Sequence, residues 1–352
     1  MNDYDVGEIF QEIELELIES MKRNLARHEK WEEEEGFRWE QWQAKKIREL
    51  RKFRSLNKAI MAKYSRQLDE ATKANLRRQY LEGGKKVDKE VLKAIGKGFI
   101  LIRSTPSDDF FQGNDRRLKS LIKAINNDFK EAQYAALRQM DDVYRRTIFK
   151  AETFLSSGAY TLNQAIDMAT KDFLEKGIDC IIYSDGRRVN IASYAQMAIR
   201  TANRRVQLMG EGERRKEWGL SLVLVSQYAQ SSPTCQPWQG RVYIDDVYSG
   251  GSIEDGDYPL LSTAIEAGLF HPNCRHTLST FFEGINEEPK PMRPSELGDA
   301  YERAKREAEI KRNIQKYTRL KVGSLDSENI KKYDLKLKEW QSKLKELQDE
   351  GL

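Results

Sequence analysis

Hydrophobic residues fall at helical spacing over most of the first half of the chain. Ile9, Ile13, Leu17, Met21 and Leu25 stand four apart and form one stripe of an amphipathic helix over residues 8–34. The acidic run Glu32 to Glu35 follows, and Gly36 interrupts the pattern. A second helical pattern runs through Leu56, Ile60, Tyr64 and Leu68 to about Leu81. Gly83-Gly84 is expected to end it, as glycine does at helix C-termini. Residues 85–104 hold a further helix-like piece and the short apolar run Phe99-Ile-Leu-Ile102. Leu118, Leu121, Ile122, Ile125 and Phe129 share one face of a helix over 115–155, and Thr161 starts another that ends near Gly177.

The period changes at Ile178. The apolar run Ile178 to Tyr183, the turn Ser184-Asp-Gly-Arg187 and the returning Arg188-Val-Asn-Ile191 predict a hairpin. Ser193 then caps a helix to about Gln207, and Gly210-Glu-Gly212 reads as a break. Leu220 to Val225, Gly240 to Asp245 and His276 to Phe282 are strand-like, and Tyr258 to Gly268 is a short helix. The pattern predicts an α+β protein: a helical region over 1–177, a small mixed domain over 178–285, and a linker with C-terminal helices over 286–352. Pro289 to Pro294 is the linker signal. Beyond it Ile330, Tyr333, Leu337, Trp340, Leu344 and Leu347 alternate steps of three and four, a short heptad seam. That seam suits either a coiled coil or docking on the chain's own N-terminal helices.

Composition sharpens this picture. Charged residues make up 33% and hydrophobic residues 39% of 352, a more polar balance than a single globule of this length carries. Long charged helices with solvated faces fit it, and such helices use partners to cover their apolar stripes. Disorder is opposed by 6 Trp, 15 Tyr and 13 Phe, which need burial. The net charge of +4 makes no demand for nucleic acid. Locally, Arg38, Lys45, Lys46, Arg48 and Arg51 interleave with Trp39, Trp42 and Phe53, a pattern able to track phosphates and stack bases of DNA. Glu residues recur in the same segment, which favours the plainer reading of a wet helix face with packed aromatics. No apolar run is long enough to span a membrane, and the acidic start Met1 to Val6 lacks the apolar core of a secretory signal. Three cysteines far apart make no disulfide framework and fit a reducing compartment.

Two of the three cysteines and two of the three histidines fall within Cys235–His276. Cys235, His271, Cys274 and His276 supply four ligand-type side chains, enough for a closed tetrahedral structural zinc site. The alternative is a turn locked by Pro272 and Asn273, with the Cys and His side chains packed and hydrogen-bonded. A catalytic Cys–His pair is disfavoured, because the flanks match no nucleophile elbow and no orienting acid is evident. Zincin, dinucleotide-binding and P-loop patterns are absent. Glu211-x-Glu213 has the spacing of the acidic pair of some ADP-ribosyltransferases, a spacing that also recurs in any Glu-rich helix.

Ser231-Ser-Pro-Thr-Cys-Gln-Pro-Trp-Gln-Gly-Arg-Val-Tyr243, Tyr258-Pro-Leu-Leu261 and Gly268-Leu-Phe-His-Pro-Asn-Cys-Arg-His276 together resemble the tailed-phage minor capsid protein 2 family. The His271-Pro-Asn-Cys-Arg275 segment is also similar to the wider group of phage-Mu F-like minor head proteins. The likeness covers about 180–285 and rests on Cys235, Trp238, Gly240, His271, Pro272, Asn273, Cys274, Arg275 and His276. It implies a low-copy virion protein, assembled in the bacterial host cytoplasm. Its partners would be the portal protein, other capsid or scaffold proteins, and phage DNA, with roles in head assembly and genome packaging or ejection. The family is not defined by a catalytic mechanism, so no enzymatic activity is implied and no catalytic residue carries over. The competing class is an effector enzyme on the central domain, such as an ADP-ribosyltransferase, which requires a cleft with converging Arg, Ser and Glu side chains.

Overall fold

Eight helices and a few short antiparallel strands make up the described chain, which is 71% helical, a mostly helical α+β fold. A computed structural model describes residues 6–35, 39–101, 106, 116–155, 159–272, 274–292 and 294–349, apart from the side chains of residues 28–47, 152, 155 and 294–297. Two packing units emerge, each discontinuous in sequence: Met1–Asp69 with Asn127–Gln196 and Arg306–Leu352, and Glu70–Asn126 with Met197–Lys305. The passages from one to the other fall inside helices α2 (Trp39–Ile95), α3 (Arg116–Leu155), α5 (Ile191–Trp218) and α7 (Pro294–Gly323).

The first unit is built around α1 (Val6–Glu35). Its apolar stripe is wider than the four-residue spacing suggests. Val6, Phe10 and Ile18 are buried beside Ile9, Ile13, Leu17, Met21 and Leu25, so the helix is enclosed on more than one side. Phe10 meets Phe129 of α3 at 5.3 Å between ring centroids, and Phe53 of α2 stacks on Tyr144 of α3 at 4.4 Å. Phe53 is thus a core residue. Helix α4 (Leu162–Lys176) starts with a capping box between Thr161 and Gln164 and ends at Gly177, as its sequence predicts. The hairpin is also found: β1 (Ile181–Ile182) pairs antiparallel with β2 (Arg188–Val189) across a turn in which Gly186 holds φ 80°. The cap of α5 differs from expectation. Asn190, rather than Ser193, accepts the backbone N–H groups of Ala192 and Ser193 on its Oδ1, at 2.9 and 3.3 Å.

A buried polar knot ties these pieces to α7. The Glu14 carboxylate, 3% exposed, accepts the N–H of Ile178 at 2.7 Å and lies 3.5 Å from Arg319 Nη1. Arg319 also donates to the carbonyls of Leu174 and Glu175, at 3.0 and 2.7 Å, and so closes the C-terminus of α4. Gly177 must be glycine here: its φ is 74°, and a Cβ would stand 2.2 Å from Glu14 Oε1. The heptad seam lies on α8 (Ser327–Asp349) and faces its own chain. Leu337 and Leu347 are buried, and Tyr333 meets Tyr317 of α7 at 6.4 Å.

The second unit holds a three-stranded antiparallel sheet in the order β4–β3–β5, formed by β3 (Leu222–Val225), β4 (Val242–Ile244) and β5 (Leu278–Thr280). Val223 pairs with Tyr243 on one side and Thr280 on the other. The outer edge of β5 is covered by α2: Glu90 accepts the N–H of Thr280 at 2.9 Å, and Lys86 donates to the carbonyl of Leu278.

That cover exists because α2 does not stop at Gly83-Gly84, and because α5 continues through Gly210 and Gly212 to Trp218. Both expectations of a break fail for one reason. A Cβ at Gly83 would stand 2.5 Å from the carbonyl oxygen of Gln207, and one at Gly210 would stand 2.1 Å from that of Tyr80. The glycines are helix-crossing residues, chosen for close approach of two backbones rather than for a left-handed cap. Gly212 likewise makes room for Tyr248.

Alanine at Gly210 therefore lowers stability by about 1–3 kcal/mol through overpacking. Alanine at exposed Gly298 of α7, whose Cβ meets nothing within 4 Å, raises it by up to about 1 kcal/mol through helix propensity. Opposite shifts of the urea midpoint, followed by circular dichroism, check the pair. Glu14→Ala leaves Arg319 buried without its carboxylate and costs about 3–5 kcal/mol. A double-mutant cycle with Arg319→Ala returns a coupling term well above zero if the knot holds as described.

Candidate metal centre

Three loops of the second unit bring the cysteine and histidine side chains together. The first follows β3, where the N–H groups of Cys235 and Gln236 bond to the carbonyl of Ser232, leading into a 3-10 turn over Gln236–Trp238. The second follows α6 (Leu261–Glu266), where Gly268 holds φ 110° and the N–H of Cys274 bonds to the carbonyl of His271 at 2.9 Å. The third is the short approach to β5 that carries His276. These loops close over a core of Leu208, Val223, Val225, Tyr243, Leu261, Leu269 and Leu278, in which Cys235 and Cys274 are themselves members.

Cys235, Cys274 and His276 converge, are buried, and place their donor atoms within 4.8 Å of one another. Cys235 Sγ lies 3.7 Å from Cys274 Sγ, which lies 3.3 Å from His276 Nδ1. The other ring nitrogen of His276, Nε2, meets Gln239 Oε1 at 2.9 Å. The same oxygen accepts the backbone N–H of Tyr228, also at 2.9 Å, which fixes the amide orientation. Gln239 is thus an acceptor, Nε2 carries the proton, and the lone pair of Nδ1 points at Cys274.

His271 does not join them. Its Nδ1–H donates to the carbonyl of Pro272 at 2.7 Å, and its Nε2 accepts from Ser232 Oγ at 2.8 Å. That hydrogen bond straps the loop of Cys235 to the loop of Cys274. Of the four candidate ligands, three therefore form the cluster and the fourth is a clamp beside it.

The two thiols share a proton. Cys235 is pushed up from the ordinary thiol range, first by its hydrogen bond to Cys274 and then by burial. Cys274 is pushed down by that same bond, in which Cys235 is the donor. Backbone N–H groups face both sulfurs, that of Phe270 at Cys235 and that of His276 at Cys274, and both favour the thiolate. Phe270 sits at φ 59°, in the left-handed region that costs a non-glycine residue about 1–2 kcal/mol. The third cysteine is elsewhere: Cys180 is half-buried, and desolvation pushes it up to about 12.

The remaining motif residues have local roles. Trp238 packs against the core and accepts the Tyr243 hydroxyl on its carbonyl at 3.1 Å. Gly240 holds φ 69° with a Cβ position 2.5 Å from Gln227 Nε2, so only glycine fits. Arg275 is exposed and donates to Tyr228 Oη at 2.9 Å, and Asn273 lies outside the described residues. Ser232 and Gln239 were not singled out from sequence, though both stand inside the Ser231–Tyr243 segment. Polar turn residues carry no ligand signal until their neighbours are placed.

The other candidate sites resolve differently. Glu211 is fully buried, ion-paired to Lys86 at 2.9 Å and to Arg215 at 3.5 Å, and does not face solvent. Glu213 lies 3.4 Å from Arg117. Arg48 and Arg51 of α2 are exposed, whereas Arg38 and the side chains of Lys45 and Lys46 lie outside the described residues.

Among the described residues no helix is long and apolar enough to cross a membrane. Searches of curated proteins and of solved structures return no significant match. The family model of phage minor capsid protein 2 matches residues 3–349, nearly the whole chain and both packing units. The resemblance first visible in the cysteine–histidine segment thus extends through the helices on either side, and the chain belongs to the phage minor capsid protein 2 family.

Proposed function

We propose that this structural phage protein works at the portal vertex of the head, where it assists head assembly and the packaging or ejection of the genome. Family membership over residues 3–349 carries the reading, because it makes the chain a component of the virion that meets other capsid proteins. The finer assignment draws on the surface. Tyr134 and Phe149 of α3 are 66% and 71% exposed, and Leu335 of α8 is 63% exposed, on helices otherwise rich in charge. Arg54, Lys58, Arg138, Glu131 and Asp141 surround Tyr134 and Leu137 in an open groove of about 630 Å³ between α2 and α3 of the first unit, with Arg54 ion-paired to Asp141. Large apolar side chains ringed by charges of both signs suit a protein partner with a mixed polar and apolar surface.

The portal and the scaffold are the expected partners during assembly in the host cytoplasm, and the chain performs no catalysis in this role. The burial of Glu211 in ion pairs supports that reading, since an ADP-ribosyltransferase needs its acid open to substrate. Phage DNA is a secondary contact, for which exposed Arg48 and Arg51 are suited.

Cross-linking mass spectrometry on purified heads tests the assignment. The expected result is cross-links from Lys58 and neighbouring lysines to the portal protein, at a copy number far below that of the major capsid protein. Tyr134→Ser is expected to weaken co-purification with the portal while leaving the circular dichroism spectrum unchanged. Cross-links confined to the major capsid protein along the facets, with none to the portal, would reject the vertex location.

A further inference from the structure

We propose that Cys235, Cys274 and His276 bind one zinc ion as a three-ligand site, with solvent in the fourth position and His271 outside the coordination shell. Two ligand–ligand edges match those of a tetrahedral site, and all three donor atoms lie within 4.8 Å of one another. With metal–sulfur bonds near 2.3 Å and metal–nitrogen bonds near 2.0–2.1 Å, the sulfur–sulfur edge is about 3.8 Å and the sulfur–nitrogen edge about 3.5 Å. The edges found are 3.7 Å between the cysteines and 3.3 Å between Cys274 and His276. A disulfide is a different geometry, with sulfurs near 2.05 Å.

The surroundings are built for a metal as well as for a packed thiol. Gln239 holds the proton on Nε2 of His276, so Nδ1 presents its lone pair to the centre, the partner arrangement common for metal-bound histidines. All three ligand residues are buried, at 0%, 7% and 1% exposure, so the ion would sit within the loop junction rather than at the surface. Two thiolates and one imidazole select a borderline-soft cation, and iron–sulfur clusters of the common kinds need four ligands on this chain. Among the described residues no further His, Cys, Asp or Glu joins the group.

The ion would cross-link the loop after β3, the loop after α6 and the approach to β5, over the core that includes Leu208, Val223, Tyr243 and Leu278. Its role is to hold these loops shut, and it is independent of where in the head the protein sits.

The test uses full-length protein expressed with added zinc and purified under reducing conditions. Elemental analysis is expected to return one zinc per chain. The cobalt(II)-substituted form is expected to show the intense visible bands of tetrahedral geometry and thiolate-to-cobalt charge transfer. Cys274→Ser reduces zinc to background. If that variant fails to fold, Gln239→Leu serves instead. It keeps every ligand, and chelator competition is expected to show about 10–100-fold weaker zinc binding. His271→Ala keeps the metal and the cobalt spectrum. Folded, reduced wild-type protein without zinc overturns the proposal, as does full zinc content in Cys274→Ser. A loss in His271→Ala as complete as that in Cys274→Ser overturns the three-ligand assignment.

Discussion

Two helix backbones in the second unit approach so closely that neither can carry a side chain at the crossing. Gly83 of α2 lies over Gln207 of α5, and Gly210 of α5 lies over Tyr80 of α2. Much of the unit follows from that contact. It places Lys86 and Glu90 along the free edge of β5, where they satisfy its backbone. It sets Asp88 against Arg214 and the Trp218 indole, at 2.7 and 2.8 Å. It also buries Glu211 between Lys86 and Arg215, while Arg215 reaches Asp245 beside β4 at 3.1 Å. Charges this deep are tolerated because each has a partner of opposite sign. A short sheet of three strands, marginal in isolation, thereby gains a rigid backing.

The face of the sheet that this backing leaves to the loops has a small core. Three loops meet there with two thiols and an imidazole at their junction. In a core of that size a few hydrogen bonds decide the loop conformations. The Ser232–His271 strap and the Gln239–His276 contact do so at the junction. Phe270 stays in an unfavourable backbone conformation, φ 59°, in the loop between these two contacts. A cross-link at this point, the proposed zinc, would add to the packing of Trp238, Ile265 and Phe270 against this core.

The first unit solves a different problem. Its helices are long and its core large, so apolar packing suffices for most of its length. Where chain ends meet, it uses charge. Glu14 and Arg319, far apart in sequence, satisfy the open backbone groups at the end of α4 and the start of the hairpin. Asp167 does the same where α7 gives way to α8, accepting the N–H groups of Leu325 and Asp326 at 2.7 and 3.3 Å. Burial raises the Asp167 carboxyl above the ordinary aspartate range despite these bonds. This capping by distant side chains leaves the exposed helix faces, with Tyr134, Phe149 and Leu335, free for partners in the head.

By itself the sequence determined the helical pattern, the Thr161 cap, the Asp185-Gly186 hairpin, the three strands of the sheet and the family. Each of these is written in neighbouring residues, as a period, a capping pair or a contiguous motif. It also marked Cys235, Cys274 and His276, because rare residues clustered in one window stand out without any geometry. Only the tertiary structure decided what Gly83 and Gly210 do. A glycine that ends a helix and a glycine that admits a crossing helix look alike until the second backbone is placed. For the same reason only the fold separated His271 from His276. The two are five residues apart and alike in type, but Gln239 turns one ring toward the sulfurs and Ser232 turns the other away.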